Sequence, residues 1–109
     1  MKNLYQIPED ADRSKECFET ILTGSGGLLV ERIISHGQTT PKDSWYDQPR
    51  DEWVMVLEGS ARLAFDDGRE AALSRGDQLF IPKQARHRVV SASSPCLWLA
   101  IHGEALKSG

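Results

Sequence analysis

The sequence predicts an all-β domain, a sandwich or barrel of about eight short strands, and three observations carry that prediction. Short runs rich in β-branched and apolar residues recur along the chain and often alternate. Turn signals separate them at short, regular intervals: Gly24-Ser25-Gly26-Gly27, Asp66-Asp67-Gly68, Ser74-Arg75-Gly76-Asp77 and Ser93-Ser94-Pro95. No stretch sustains the periodicity of a long amphipathic helix, which excludes a chain of alternating strands and helices.

Residues 1–15 are polar, with one proline and several acids, and read as an irregular N-terminal arm. Tyr5 and Ile7 give it something to lay against the body, which is a single domain over residues 16–109. Cys17 to Thr23 is the first arm of a hairpin, because Thr20, Ile21 and Thr23 favour extended backbone. Leu28 to Ser35 is its return strand, closed by Gly37 and Pro41. Trp45 to Gly59 opens polar and aromatic, passes Asp51 and Glu52, and becomes a hydrophobic strand ending on glycine. Ser60 to Phe65 alternates, with Ala61, Leu63 and Phe65 on one face, and Asp67-Gly68 supplies the positive φ of a hairpin turn. Glu70–Leu73 and Gln78–Ile81 follow, the second stopped by Pro82, which cannot donate to a ladder. His87–Ala92 and Leu97–His102 complete the set.

A chain of 109 residues with 39% hydrophobic and 27% charged residues has the composition of one globular domain. A net charge of −3 without a basic cluster argues against nucleic-acid binding. No apolar run approaches the ~20 residues of a membrane span, and the charged N-terminus does not resemble a signal peptide. The expected location is the cytoplasm. Cys17 and Cys96 fit no metal-binding spacing and are expected to be free, buried thiols.

The strand at Glu52–Leu57 is apolar on both faces, with Val54 and Val56 on one and Trp53, Met55 and Leu57 on the other. Leu97, Leu99 and Ile101 against Trp98 and Ala100 repeat this. An antiparallel sheet with one wet face would alternate. Something must therefore cover the outside: the N-terminal arm or a second subunit. A homodimer is the natural expectation.

The run Glu52-Trp53-Val54-Met55-Val56-Leu57-Glu58-Gly59 resembles the end of the first cupin motif, a glutamate followed by six residues and a glycine. Gly76 to Pro82, then Ala85-Arg86-His87, resembles the second, and the intervening hairpin has the expected length. The resemblance covers roughly Thr40 to Ser91 and implies a single-domain cupin-type jelly-roll barrel, the double-stranded β-helix. Cupins typically hold a divalent metal with two histidines and a glutamate from the first motif and a histidine from the second. Of these, Glu52 and His87 match. The two histidine positions fall on Tyr46 and Gln48, or on Trp45 and Asp47 in the variant longer by one. Gln84 stands where a glycine is usual, and Ser91 where an asparagine is.

The resemblance thus implies a small-molecule pocket at Tyr46, Asp47, Gln48, Glu52, His87 and His102. Its metal ligands would be Glu52 and His87, with Asp47 or Gln48 completing the site for one divalent ion (Zn, Fe or Mn). The other reading is metal-free, with Glu52 and His87 hydrogen-bonded to each other, since an unpaired buried carboxylate costs several kcal/mol. His102 joins the pocket if its parity is inward, whereas His36 beside Gly37 reads as a solvated turn residue. Trp45 and Tyr46 serve as rim packing or pocket walls, and Arg86 and Arg88 flank an inward His87 and must point out. Three function classes follow: a metal-dependent dioxygenase, isomerase or lyase; a metal-free binding or sensing module; and a metal-free acid/base enzyme.

Overall fold

The structure, a computed structural model, describes residues 2–109. Eight antiparallel strands form two sheets: β1 (Cys17–Thr23), β2 (Leu29–Ser35), β3 (Asp51–Glu58), β4 (Ser60–Phe65), β5 (Glu70–Ser74), β6 (Gln78–Ile81), β7 (His87–Ala92) and β8 (Cys96–Gly103). One sheet has the order β1-β2-β8-β3-β6 and the other β5-β4-β7. Among the described residues there is no α-helix, and no helix long and apolar enough to cross a membrane.

Strand alternation sorts the side chains of the five-stranded sheet cleanly. Val54, Val56, Trp98 and Ala100 point inward and meet Ala61, Leu63 and Leu73 of the three-stranded sheet, making the main core. Ile34, Leu57 and Leu97 point the other way and form a second cluster, with Leu4 and Ile7 of the N-terminal arm packed on it. The arm is therefore one of the covers that the two-sided apolar strands demand. Arg32 rivets it in place. Its guanidinium donates to the carbonyls of Leu4 (2.9 Å) and Gln6 (2.6 Å), and to Glu19 at 2.6 and 3.2 Å.

The arm leaves one row of the outer face open. Register aligns Leu22, Val30, Ile101, Trp53 and Phe80 side by side across all five strands. Leu22 is 49% exposed, and the other four are half-buried.

Two turn positions explain motif residues. Gly59 has φ +89°, and a Cβ there would lie 2.6 Å from the Pro95 carbonyl and closer still to Ser93 Oγ. Only glycine fits. Gln84 also takes a positive φ, 63°, which is why glycine suits that place in the motif. Of the cysteines, only Cys96 is buried; Cys17, expected inside, is exposed because it sits on the outer face of edge strand β1.

Candidate functional site

The pocket opens where the two sheets part, above a floor of Val54, Leu63, Ile81 and Trp98. Its volume is about 90 Å³, the liquid volume of roughly three waters. Glu52 and His102 are direct register partners on β3 and β8, and both point inward. His87, the first residue of β7, faces them from the other sheet.

The loop before β3 is tied down by backbone hydrogen bonds. Tyr46 N–H donates to the His87 carbonyl (2.7 Å) and His87 N–H returns one to Tyr46 (3.1 Å), while Gln84 N–H donates to the Gln48 carbonyl (2.8 Å). This extended pairing turns Tyr46 and Gln48 toward the cavity. It corrects one expectation: Asp47, between two inward neighbours, is exposed and does not line the cavity. Trp45 likewise lies outside, beneath the guanidinium groups of Arg88 (5.7 Å) and Arg86 (6.0 Å).

The adjacent acids Asp51 and Glu52 have opposite fates. Asp51 accepts backbone N–H bonds from Lys83 (2.9 Å) and Leu106 (3.0 Å), so its buried charge is answered structurally. Glu52 has a side chain only 8% exposed, with Oε1 3.7 Å from His87 Nε2 and Oε2 3.7 Å from His102 Nε2. Both separations exceed hydrogen-bond length, and Oε1 has no hydrogen-bond partner. The direct Glu52–His87 hydrogen bond of the metal-free reading is absent, because each histidine is held by another group. His87 Nδ1 lies 2.8 Å from the Ala85 carbonyl. A carbonyl can only accept, so Nδ1 carries the hydrogen of that bond and Nε2 is the ring nitrogen turned toward Glu52. His102 sits between Gln48 Oε1 (3.1 Å from Nδ1) and Glu31 Oε1 (3.0 Å from Nε2).

Burial pushes the Glu52 carboxyl above its ordinary value, against the pull of His102 and His87 and with help from the Glu31 charge. Glu16, half-buried at the pocket, is raised by burial too. So is the Tyr46 phenol, where burial is reinforced by the Glu16 charge.

The structure adds residues that the motifs did not name: Glu31, Glu16 and Gln38 line the cavity. Glu31 had a signal, a lone acid inside the apolar run Leu28 to Ile34 whose parity matches Ile33 and Ser35. His36 is corrected as well. It is half-buried, and its Nε2 is enclosed without a partner. The turn at Gly37 folds back on the barrel, so that Gln38 Oε1 accepts from the His36 N–H.

The donor set does not fit the metal that the family implies. Among the described residues, no three His, Cys, Asp or Glu side chains are arranged to hold an ion. Glu52 and His87 supply two donors, the first-motif positions offer a phenol and an amide, and His102 is turned to Glu31 and Gln48. Structural and catalytic metal sites take three or more protein ligands.

Known proteins resolve the ancestry. The cupin domain model matches residues 31–102. A crystal structure from Ralstonia eutropha JMP134, of a protein provisionally named mannose-6-phosphate isomerase, is 40% identical. It superposes with a TM-score of 0.87 over 96% of this chain and 98% of that one. A cupin superfamily protein from Desulfitobacterium hafniense DCB-2 superposes at 0.73, with 17% identity over 87% of this chain and 83% of that one. The DMSP lyase DddQ from Ruegeria pomeroyi DSS-3 superposes at 0.68, with 20% identity over 86% of this chain and 49% of that one. These last two share the fold alone. No curated protein matches the chain. With both motifs in place on a barrel of eight strands, the chain belongs to the cupin family.

Proposed function

We propose that this protein binds a small polar molecule in the barrel mouth and moves a proton on it, Glu52 and His87 acting as an acid/base pair in an isomerase-type reaction. The observation that carries the reading is the buried, unpartnered Oε1 of Glu52, 3.7 Å from the Nε2 of His87. The two atoms stand side by side on the cavity wall, close enough that one substrate O–H, N–H or acidic C–H in the cavity can reach both. A shift of a proton between neighbouring carbons needs one group to remove it and another to deliver one. His87, with its lone pair directed inward, is the base. Glu52, raised by burial, is the group that carries a proton at higher pH than an ordinary carboxylate. The cavity walls exclude bulk water from the pair. The isomerase name of the 40% identical Ralstonia protein supports the reaction class.

The test is hydrogen exchange at carbon. The protein is incubated in D₂O with a panel of small α-hydroxy aldehydes, α-hydroxy ketones and amino ketones, and proton NMR follows the C–H beside the carbonyl. At least one compound should exchange in the presence of the protein. Glu52→Gln and His87→Gln should each slow that exchange by about 10²-fold or more. Exchange that both variants sustain at the parent rate, or none beyond buffer across the panel, overturns the reading.

A further inference from the structure

Which molecules the pocket admits is decided by the sign of its walls. Three glutamates line it, Glu16, Glu31 and Glu52, and no lysine or arginine does. That is not for want of candidates, since arginines adjoin the site residues all along the sequence. Arg32 follows Glu31, but strand alternation turns it to the opposite face, where it holds the N-terminal arm. Arg86 and Arg88 flank His87 and lie outside over Trp45. Arg50 comes nearest, and its guanidinium donates to the Gly27 carbonyl at 2.7 Å. None of these four arginines lines the cavity.

An acidic lining alone would be an ordinary solvated feature. The unpartnered Glu52 Oε1, on a side chain 92% buried and beside the inward His87 Nε2, is what asks for a ligand. With Glu52 ionised and His87 Nδ1 donating to Ala85, both atoms accept, so a donor in the cavity can reach each of them from the side, and the acidic walls favour a positively charged one. We infer that the pocket takes a small organic cation, a primary ammonium on a short hydrocarbon body, and rejects phosphorylated and carboxylated molecules. This rests on the reading that the cavity is the substrate site, and it names the substrate class for it.

The rest of the pocket suits such a ligand. An ammonium group carries three N–H donors, enough for Glu52 Oε1 and His87 Nε2 with one to spare. Ile33, Val54, Leu63 and Ile81 form an apolar wall for the hydrocarbon. The Tyr46 ring, 5.6 Å from that of His87, presents an aromatic face at the rim. A divalent metal would need a third protein donor that the cluster does not offer.

The experiment compares three ligands of one size and different charge: propylamine, 1-propanol and propionate, with inorganic phosphate as a fourth. Each is titrated into the full chain at neutral pH, followed by NMR chemical-shift changes. Propylammonium should bind at least tenfold more tightly than 1-propanol, while propionate and phosphate shift no pocket resonance. Glu52→Gln should lose tenfold or more for the cation and leave 1-propanol unchanged. Comparable or tighter binding of propionate or phosphate overturns the proposal. So does stoichiometric Zn²⁺ or Mn²⁺ binding that excludes propylammonium. The comparison of ligands on the unaltered protein stands even if the variant misfolds. Cation preference without carbon exchange would remove the proton-transfer reading and keep the substrate class; exchange confined to anionic or neutral substrates would do the reverse.

Discussion

Replacing Glu52 by glutamine should make the protein more stable at neutral pH, and the size of the gain should grow with pH. The side chain is almost fully enclosed, Oε1 has no partner, and burial raises its carboxyl. A raised folded pKa means that the native state binds a proton which the unfolded chain has released, so stability falls as pH rises between the two pKa values. The lower edge of that window is the unfolded carboxyl value, about 4.3, and the upper edge is the folded pKa. Within it the difference between Glu52→Gln and the parent should widen by about 1.4 kcal/mol per pH unit. Below the window it should be small; above it, constant. Urea denaturation read by tryptophan fluorescence suits this, since Trp98 is buried in the core. With a slope of roughly 1–3 kcal/mol per molar urea, 1.4 kcal/mol moves the midpoint by about 0.5–1.4 M. The reasoning fails if Glu52→Gln is destabilising by a constant amount, or costs more at pH 8 than at pH 5. Either result would mean that Glu52 stabilises the fold as an anion paired to its histidines.

Gly59→Ala should cost about 3 kcal/mol or prevent folding, combining the strain of a positive φ with overpacking against Pro95 and Ser93; the urea midpoint measures it. Arg32→Ala should destabilise by about 3 kcal/mol, because it removes a buried guanidinium serving two carbonyls and Glu19. It should also release the arm to trypsin at Arg13 and Lys15, and an arm that stays protected would show that Leu4 and Ile7 dock without the rivet. We propose that the open row of Leu22, Val30, Ile101, Trp53 and Phe80 is covered by a second copy of the chain. Sedimentation should then find a dimer at micromolar concentration, shifted toward monomer by Trp53→Lys, and a purely monomeric parent would refute the pairing. Finally, Tyr46→His with Gln48→His should create a site for one zinc per chain, since both positions already face Glu52 and His87 across the cavity. Calorimetry showing no gain in zinc affinity would mean that the loop cannot bring the two imidazoles to a common point.

The strands were legible because their signals are local. Turn glycines, Pro82 and the alternation of Ala61, Leu63 and Phe65 fix where strands end and which face is wet, and the observed boundaries differ from the expected ones by a residue or two. The site was legible only where the motifs reach. Glu52 and His87 came from the resemblance to the two cupin motifs, and His102 from its place in the last strand, but Glu31 and Glu16 enter the pocket from β2 and the segment before β1. What brings them there is the pairing of β2 with β8, a contact between residues some seventy positions apart such as His102 and Glu31. The misplacement of Asp47 and His36 has the same origin. Both lie in irregular segments, where a tertiary hydrogen bond decides which way a side chain faces.

That division bears on what the altered first motif means. Its fold-making residue is under hard steric constraint, since a Cβ at Gly59 has nowhere to go. Tyr46 and Gln48 are under no such constraint; backbone hydrogen bonds hold the loop, and these are indifferent to the side chains they carry. Chemistry at the rim can therefore change without cost to the barrel, whereas Glu52 cannot be left as it was. Without an ion beside it, a buried carboxylate must find another counter-charge, keep a proton, or be met by a ligand. In this protein the arginines nearest in sequence are turned away, His87 is bound to Ala85 and His102 to Glu31. Burial raises the Glu52 carboxyl even against the pull of His102 and His87, and the cationic ligand proposed above is the group that would meet its charge.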